Sequence, residues 1–514
     1  MLDQLLAAGV HFGSLPRLAR LRQQPLETQQ RLLRYLLHRA RNTEWGRRYG
    51  FREMPTEAEF ARRVPVSTYE QLYPEIERVL RGAADVLWPG SVRWFAKSSG
   101  TTNNRSKYIP VTEESLRQNH YRAGRDMLAL ATHLYPQERL LAGKTLSLGG
   151  THGPNPLRPT AASSRVGDVS AIIMQRLPSW AEYLRTPPLE LALLDEWETK
   201  IERIAQYALR SDVRTLAGVP TWMIMLLRRV TALAGAENIT QVWPNLRLFL
   251  HGAVAFGPYR DFFRQLIPNN QMRYLEIYNA SEGYFALQDQ PDSEDLLLLL
   301  DHGIYYEFLP ADQYDCANPQ PLPLRDIELG KSYALIISTN AGLWRYFIGD
   351  TVRFTSLAPY RLRITGRTKH FLNAFGEEVV IENAEAAVVA ASRATATVVR
   401  DFTAAPIFFN AHESASRGGH EWAVEFAGPP PAQPAHFAQV LDFTLRELNS
   451  DYDAKRHRDL ALAPPQVRVL PPGTFEAWLA AQGKLGGQHK VPRLSNSRHV
   501  LEAVLRVAAY TQAV

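Results

Sequence analysis

A single cysteine, Cys316, stands among 514 residues. That excludes an intramolecular disulfide and fits a reducing compartment. Cys316 lies in a loop-like stretch, Ala311 to Pro323, with no nucleophile motif around it, so an ordinary cysteine is the expectation. No apolar run approaches the roughly 18 residues that span a bilayer; Leu296–Leu300 is the most conspicuous. The first residues carry Asp3 where a secretion signal wants cations, and their apolar core is too short. A cytoplasmic chain with no membrane partner is expected. The 14 histidines contain no His-Glu-x-x-His, and there is no Gly-x-Ser-x-Gly elbow, which argues against zinc and serine hydrolases.

Charge of one sign is also scarce. The 58 basic and 52 acidic residues leave a net charge of only +6. Much of the excess sits early, from Arg17, Arg20 and Arg22 through Arg31, Arg34, Arg39 and Arg41 to Arg47 and Arg48. Leu32, Leu33, Tyr35, Leu36 and Leu37 interleave with these arginines, as in amphipathic helices whose cations face water. No aromatic RNA-binding signature or zinc-finger spacing accompanies them, so no nucleic-acid partner is expected.

The chain does have core material, 45% apolar and 10% aromatic. Its length fits three to four domain-sized units or a large two-domain enzyme. Residues 1 to about 90 read as helical, with stops at Pro16, Pro25 and Pro55 and a cap at Ser67 followed by Glu70. From there to about 370, strands alternate with glycine-bearing loops and helices: 145–150, 213–219, 246–250, 275–278, 304–309, 332–339, 351–354 and 361–365 are the expected strands. That is α/β grammar with a partly parallel sheet, whose ligands bind at the carboxyl ends of strands. Beyond about 370 a smaller α+β unit follows, with helices at 382–392, 437–448 and 498–508 and strands at 396–402, 421–426 and 467–470. The expected division is 1–370 and 371–514, with no long linker and hence a cleft between the two.

Four stretches carry chemistry. Lys97-Ser98-Ser99-Gly100-Thr101-Thr102-Asn103-Asn104-Arg105-Ser106-Lys107 reads as a hydroxyl-rich loop between two strands, suited to wrapping an anion. A strand follows it rather than Gly-Lys-Ser/Thr and a helix, so it is not a P-loop. The others are Tyr278-Asn279-Ala280-Ser281-Glu282, then Tyr346-Phe347-Ile348-Gly349-Asp350 with Gly366-Arg367, and finally Gly486-Gly487-Gln488-His489-Lys490-Val491-Pro492-Arg493. Each has an innocent reading: a solvated turn, a helix cap, a surface lysine. Together they supply what nucleotidyl transfer needs. Hydroxyls and amides hold phosphates, an aromatic gives a stacking face, Glu binds Mg²⁺ through oxygen, Asp takes ribose hydroxyls, and Lys steadies charge on phosphorus.

In that order the four stretches resemble the adenylate-forming superfamily, which includes acyl-CoA synthetases and firefly luciferase. More closely, the chain resembles the auxin-responsive Gretchen Hagen family of acyl-acid amido synthetases over nearly its whole length. The resemblance implies the two-domain firefly-luciferase-like architecture, with a mobile C-terminal domain pivoting near Lys369–Asn373. It implies that Ser98, Ser99, Gly100, Thr101 and Thr102 cradle the β- and γ-phosphates of ATP. Tyr278 would stack on adenine, Ser281 would contact the α-phosphate and Glu282 would ligate Mg²⁺. Asp350 would hold the ribose hydroxyls with Arg367 assisting, and Lys490 would stabilise the adenylation transition state. Lys484, which follows Gly483, is its rival. The implied reaction joins a carboxylic acid, through acyl-AMP, to the amine of an amino acid, in a monomeric enzyme. A CoA ligase and a silent nucleotide-binding paralogue share the same adenylation residues. The chain is shorter than the plant members, and Gly-Tyr-Phe-Ala-Leu-Gln follows its second box, which fits a bacterial-type relative. The acid pocket is expected to draw on His120–Arg125, Thr160–Met174, Trp222 and Gly252–Phe256, with Arg122 or Arg165 as possible carboxylate partners.

Overall fold

The computed structural model describes residues 2–54, 56–102, 105–160, 163–314, 316, 318–368, 371–409, 417–456, 462–482 and 491–513. At residues 2, 99–102, 105–106 and 510–513 it describes the backbone alone.

Leucines at helical spacing build the start of the chain. The helices Leu2–Gln23 and Pro25–Ala40 bury Leu18, Leu21, Leu33, Leu36 and Leu37 in the main core. Pro25 occupies the first helical position, where its missing N–H costs nothing. Pro16, expected as a stop, lies inside the first helix. An internal proline costs about 3 kcal/mol. Burying a leucine returns about 1.5–3 kcal/mol, so the flanking Leu18 and Leu21 outweigh it. Acids from other segments neutralise four of the early arginines: Arg22 meets Asp289 at 2.8 Å, Arg48 meets Glu75 at 2.6 Å, Arg17 pairs with Asp126 and Arg39 with Glu114.

The helix cap falls one residue later than expected. Thr68 caps Tyr69–Leu80, its N–H donating to Gln71 Oε1 at 2.8 Å. Ser67 instead forms a bridge with Tyr346: its N–H donates to Arg345 O, and Phe347 N donates back to Ser67 O. Backbone pairing with a strand outcompetes the local cap. Gln29 is fully used by the sheet. Its amide donates to Leu300 O (2.7 Å) and Ile304 O (3.0 Å), and it accepts from Tyr306 N (2.9 Å).

Among the described residues the main sheet has 12 strands. In spatial order they are Leu322–Pro323, Ile304–Pro310, Ser332–Thr339, Tyr346–Leu357, Tyr360–Arg367, Leu296–Leu298, Gly283–Gln288, Arg273–Ala280, Leu248–His251, Val213–Gly218, Lys144–Ser147 and Arg185–Thr186. The strands from Arg273–Ala280 to Arg185–Thr186 pair in parallel, and the rest pair antiparallel. Arg273–Ala280 is therefore the seam. Helices connect the parallel strands; Pro220–Ala234, opening on Pro220, follows Val213–Gly218 directly. A separate four-stranded sheet contains Arg105–Val111, Trp94–Thr102, Arg165–Gly167 and His152–Pro154. Its first two strands run further into the hydroxyl-rich stretch than expected, consistent with the extended preference of its threonines.

Contacts divide the chain into two compact units. The first is Met1–Ser98, Tyr108–Ala253 and Phe263–Thr368; the second is Ser99–Lys107, Val254–Phe262 and Lys369–Val514. Within the second, Val399–Ile407 pairs antiparallel with Gly419–Phe426, which pairs in parallel with Gln466–Leu470. Phe402 stacks on Trp422 at 5.7 Å, and Phe426 meets Phe437 of helix Pro434–Leu448 at 5.5 Å. The strand expected at 396–402 starts at Val399 and runs on to Ile407. Buried Glu377 accepts from Phe375 N (2.6 Å), Ala374 N (3.1 Å) and His420 Nε2 (2.9 Å). Burial opposes its charge, yet His420 and these amides hold its carboxyl below the usual range. The architecture is a mixed α/β fold with a large N-terminal and a smaller C-terminal part.

Candidate active site

The seam strand ends in a tight hairpin. Arg273–Ala280 and Gly283–Gln288 pair through Ala280 and Gly283, so Ser281 and Glu282 form the two-residue turn between them. The turn lies at the carboxyl end of the last parallel strand, the usual place for a ligand in such sheets. The strand Tyr346–Leu357 supplies the opposing side chains. Gly349 takes φ of +92°, a conformation that side-chain-bearing residues rarely adopt, immediately before Asp350.

Two side-chain bonds join these segments. Tyr278 Oη donates to Asp350 Oδ2 at 2.7 Å, and Tyr346 Oη reaches Glu282 Oε1 at 3.4 Å. Three strands separate Arg273–Ala280 from Tyr346–Leu357 in the sheet order. Sheet curvature, not ladder adjacency, therefore brings the two boxes together. Arg367, the register partner of Asp350, donates from Nε to Asp350 Oδ1 at 2.8 Å. The Asp350 and Arg367 side chains are 9% and 25% exposed, so this pair borders solvent. Burial, and then the charge of Asp350, push the Tyr278 phenol far above its ordinary range, which keeps it a neutral donor. Its ring is almost wholly buried and packs edge-on against Phe285 at 4.9 Å.

Thus Tyr278, Ser281, Glu282, Asp350 and Arg367 gather in one region of the first unit. Ser98 is half-buried on the other sheet. Ser99, Gly100, Thr101 and Thr102 continue that strand, but their side chains are not among those described. Lys490 and Lys484 lie outside the described residues. Among the described residues no group of three or more His, Cys, Asp or Glu could hold a metal ion alone. A lone carboxylate such as Glu282 still fits Mg²⁺, which takes one or two carboxylates and completes its octahedron with nucleotide phosphates and water.

The supporting residues were not visible as motifs. Asn119, 1% exposed on the π-helical turn Leu116–His120, bonds the backbone of Tyr284 and His302. Behind it His302 faces Asp126 Oδ2 at 2.9 Å and Asp301 Oδ1 at 2.8 Å. Burial opposes the His302 charge, but the two aspartates raise it above the ordinary value. Burial likewise works against Asp301, yet His302, Arg17 and Arg122 bring its carboxyl down to about 2. Arg345 grips buried Glu307 through two bonds of 2.9 and 2.8 Å and donates to Ala61 O and Val64 O. Lys200, 1% exposed, donates to Gly149 O (2.7 Å) and Gly150 O (3.1 Å), and burial lowers it to about 8.

The expected acid-binding residues are partly committed elsewhere. Arg122 donates to Asp301 O at 2.9 Å. His120 is buried, and desolvation lowers it to about 4. Trp222 packs edge-on against Trp197 at 4.7 Å. No helix among the described residues is long and apolar enough to cross a membrane.

Comparison with known proteins matches three family models along the chain. They are the GH3 family N-terminal domain at residues 14–272, the GH3 family central domain at 297–367 and the GH3 family C-terminal domain at 382–499. The indole-3-acetic acid-amido synthetase GH3.3 of Arabidopsis thaliana is 26% identical, the alignment covering 92% of this chain and 90% of that protein. The solved structure of GH3.15 acyl acid amido synthetase aligns with a TM-score of 0.60 at 19% identity, over 96% of this chain and 95% of that one. A 2-hydroxyisobutyryl-CoA ligase, in complex with 2-HIB-AMP and CoA, aligns with a TM-score of 0.54 at 14% identity, over 95% and 92%. At these identities the two structures speak for the fold alone.

Proposed function

The chain belongs to the GH3 family, and from that premise we propose that it is an ATP-dependent acyl-acid amido synthetase. It joins a carboxylic acid to the amine of an amino acid in two steps. In the first, a carboxylate oxygen attacks the α-phosphorus of ATP and pyrophosphate leaves, giving acyl-AMP. In the second, the amine attacks the acyl carbon, the new C–N bond forms and AMP leaves. The observation that supports this most is the pair of bonds Tyr278–Asp350 and Tyr346–Glu282, which joins two of the four boxes at the carboxyl end of the seam strand.

In this reading residues 1–370 bind ATP and the acid, and residues 371–514 carry the catalytic lysine. Asp350 accepts from the ribose hydroxyls. Each of its oxygens accepts one protein bond, from Tyr278 or Arg367, and a carboxylate has further lone pairs to offer. Tyr278 borders adenine, and Ser281 donates to the α-phosphate. Ser98 to Thr102 hold the β- and γ-phosphates. Mg²⁺, ligated by Glu282, would offset charge on the phosphates. Lys490 stabilises the charge that develops as pyrophosphate departs. No covalent enzyme nucleophile is needed.

The deciding experiment is pyrophosphate release from ATP and Mg²⁺ across a panel of carboxylic acids, with and without amino acids. Acid-dependent release, with amide formed only when amino acids are added, is expected. Product formed only with CoA would move the chain to the thioester chemistry instead. Lys490→Ala is expected to cut pyrophosphate exchange by orders of magnitude while ATP binding holds, because its contact belongs to the transition state. If exchange survives that change and falls with Lys484→Ala, the lysine role passes to Lys484.

A further inference from the structure

The strand Gly283–Gln288 lacks a strand neighbour on one side for part of its length. Its partner Leu296–Leu298 covers Ala286, Leu287 and Gln288, and one further backbone bond follows, from Leu299 N to Phe285 O at 2.8 Å. Tyr284 is the register partner of Asn279 on the other side. Its own N–H and C=O still need partners, since a buried backbone group left unpaired is costly. The side chain of Asn119 takes both. Tyr284 N donates to Asn119 Oδ1 at 2.7 Å, and Asn119 Nδ2 donates to Tyr284 O at 3.0 Å and to His302 O at 2.8 Å. A primary amide matches a peptide group in donor and acceptor, so Asn119 continues the ladder where no strand does.

The geometry around Asn119 is close and specific. Asn119 belongs to the π-helical turn Leu116–His120, a wider turn that is frequent at functional sites. Gly283 passes so near that a Cβ on it would lie 3.3 Å from Asn119 Oδ1 and 2.6 Å from Ile304 Cδ1. Gly283 is also the residue that follows Glu282. Fixing Tyr284 therefore fixes the far side of the Ser281–Glu282 turn within one residue.

We propose that Asn119 is a positioning residue for adenylation: its amide stands in for a missing strand and holds the Ser281–Glu282 turn where its side chains meet the phosphates and the divalent ion. The inference rests on the adenylation reading of that turn. Aspartate could accept from Tyr284 N but would leave both carbonyls without a donor, and alanine would leave all three groups bare.

The test combines backbone amide exchange with kinetics on the full-length chain. In Asn119→Ala, hydrogen exchange across 280–286 is expected to accelerate while the second unit keeps its protection. The kcat of acid-dependent pyrophosphate exchange should fall about tenfold to a hundredfold, with the KM for the acid within about threefold and the Mg²⁺ needed for half-maximal rate raised about tenfold. A purely structural role would not move the Mg²⁺ requirement. If Asn119→Ala fails to fold, Gly283→Ala presses on the same contact from the other side and should give the same pattern. Unchanged exchange at 280–286, or a lower kcat with an unaltered Mg²⁺ requirement, overturns the proposal. The comparison variant is Glu282→Gln. If it keeps full activity, the reading of the turn fails and the role of Asn119 goes with it. If it is inactive while Asn119→Ala is fully active, the proposal for Asn119 alone fails.

Discussion

Two arginine–carboxylate pairs flank the same strand, and they are built for different purposes. Arg345 and Glu307 have side chains 5% and 4% exposed; two parallel bonds join them, and Arg345 also donates to Ala61 O and Val64 O. Arg367 reaches Asp350 through Nε, its side chain is 25% exposed, and Tyr278 occupies the other Asp350 oxygen. The first pair is closed on itself and clamps distant segments. The second borders solvent, within reach of a ligand. Identical functional groups thus separate into scaffold and candidate site by burial and by who else bonds them.

The sharpest way to break this contrast is to cut each pair. Glu307→Ala leaves the Arg345 guanidinium buried without its carboxylate and should cost about 3–5 kcal/mol of stability, read from denaturant unfolding. A smaller loss than that of Asp350→Ala would erase the distinction. Asp350→Ala should instead weaken ATP binding by about 1.5–3 kcal/mol, the value of bonds to a charged group, with little change in melting temperature. Unchanged ATP affinity would remove Asp350 from the ribose role.

The smallest effect concerns pH. The folded His302 has its proton affinity raised by Asp126 and Asp301, so its contribution to stability is fully present below its ordinary value of 6.5. It is lost as pH rises through the higher folded value. Wild-type unfolding midpoints should therefore fall on going upward from about pH 6.5, and His302→Gln should flatten that slope. A wild-type midpoint that stays level across the range would show that the aspartates do not hold the proton there.

Much of this was legible beforehand because it rests on local chemistry. The boxes at 278–282 and 346–350 are short and self-contained, and the helix Ile381–Ala394 and strand Gly419–Phe426 follow plain periodicity. What escaped depends on partners far along the chain. Asn119 looks like any polar residue on a helix, and nothing local announces a π-helical turn or a partner 165 residues away. Ser67 reads as a cap until Tyr346 comes alongside it. Pro16 reads as a stop unless the burial of Leu18 and Leu21 is known. The chemistry of Tyr278 was half visible: its ring suggested stacking, while its hydroxyl bond to Asp350 needed the curl of the sheet.

Gln29 has a consequence for how the chain is made. Its partner Tyr306 follows 277 residues later, and Arg345 reaches Ala61 across 284. At roughly 5–20 residues per second, a ribosome delivers that distance in about 14–55 s. Throughout that interval the leucine faces of the first two helices have no sheet to cover them. They wait as sticky surface on the nascent chain, a natural client for a chaperone that shields apolar helices. Slowing elongation between these positions should therefore lower the yield of native protein far more than slowing it anywhere beyond residue 371.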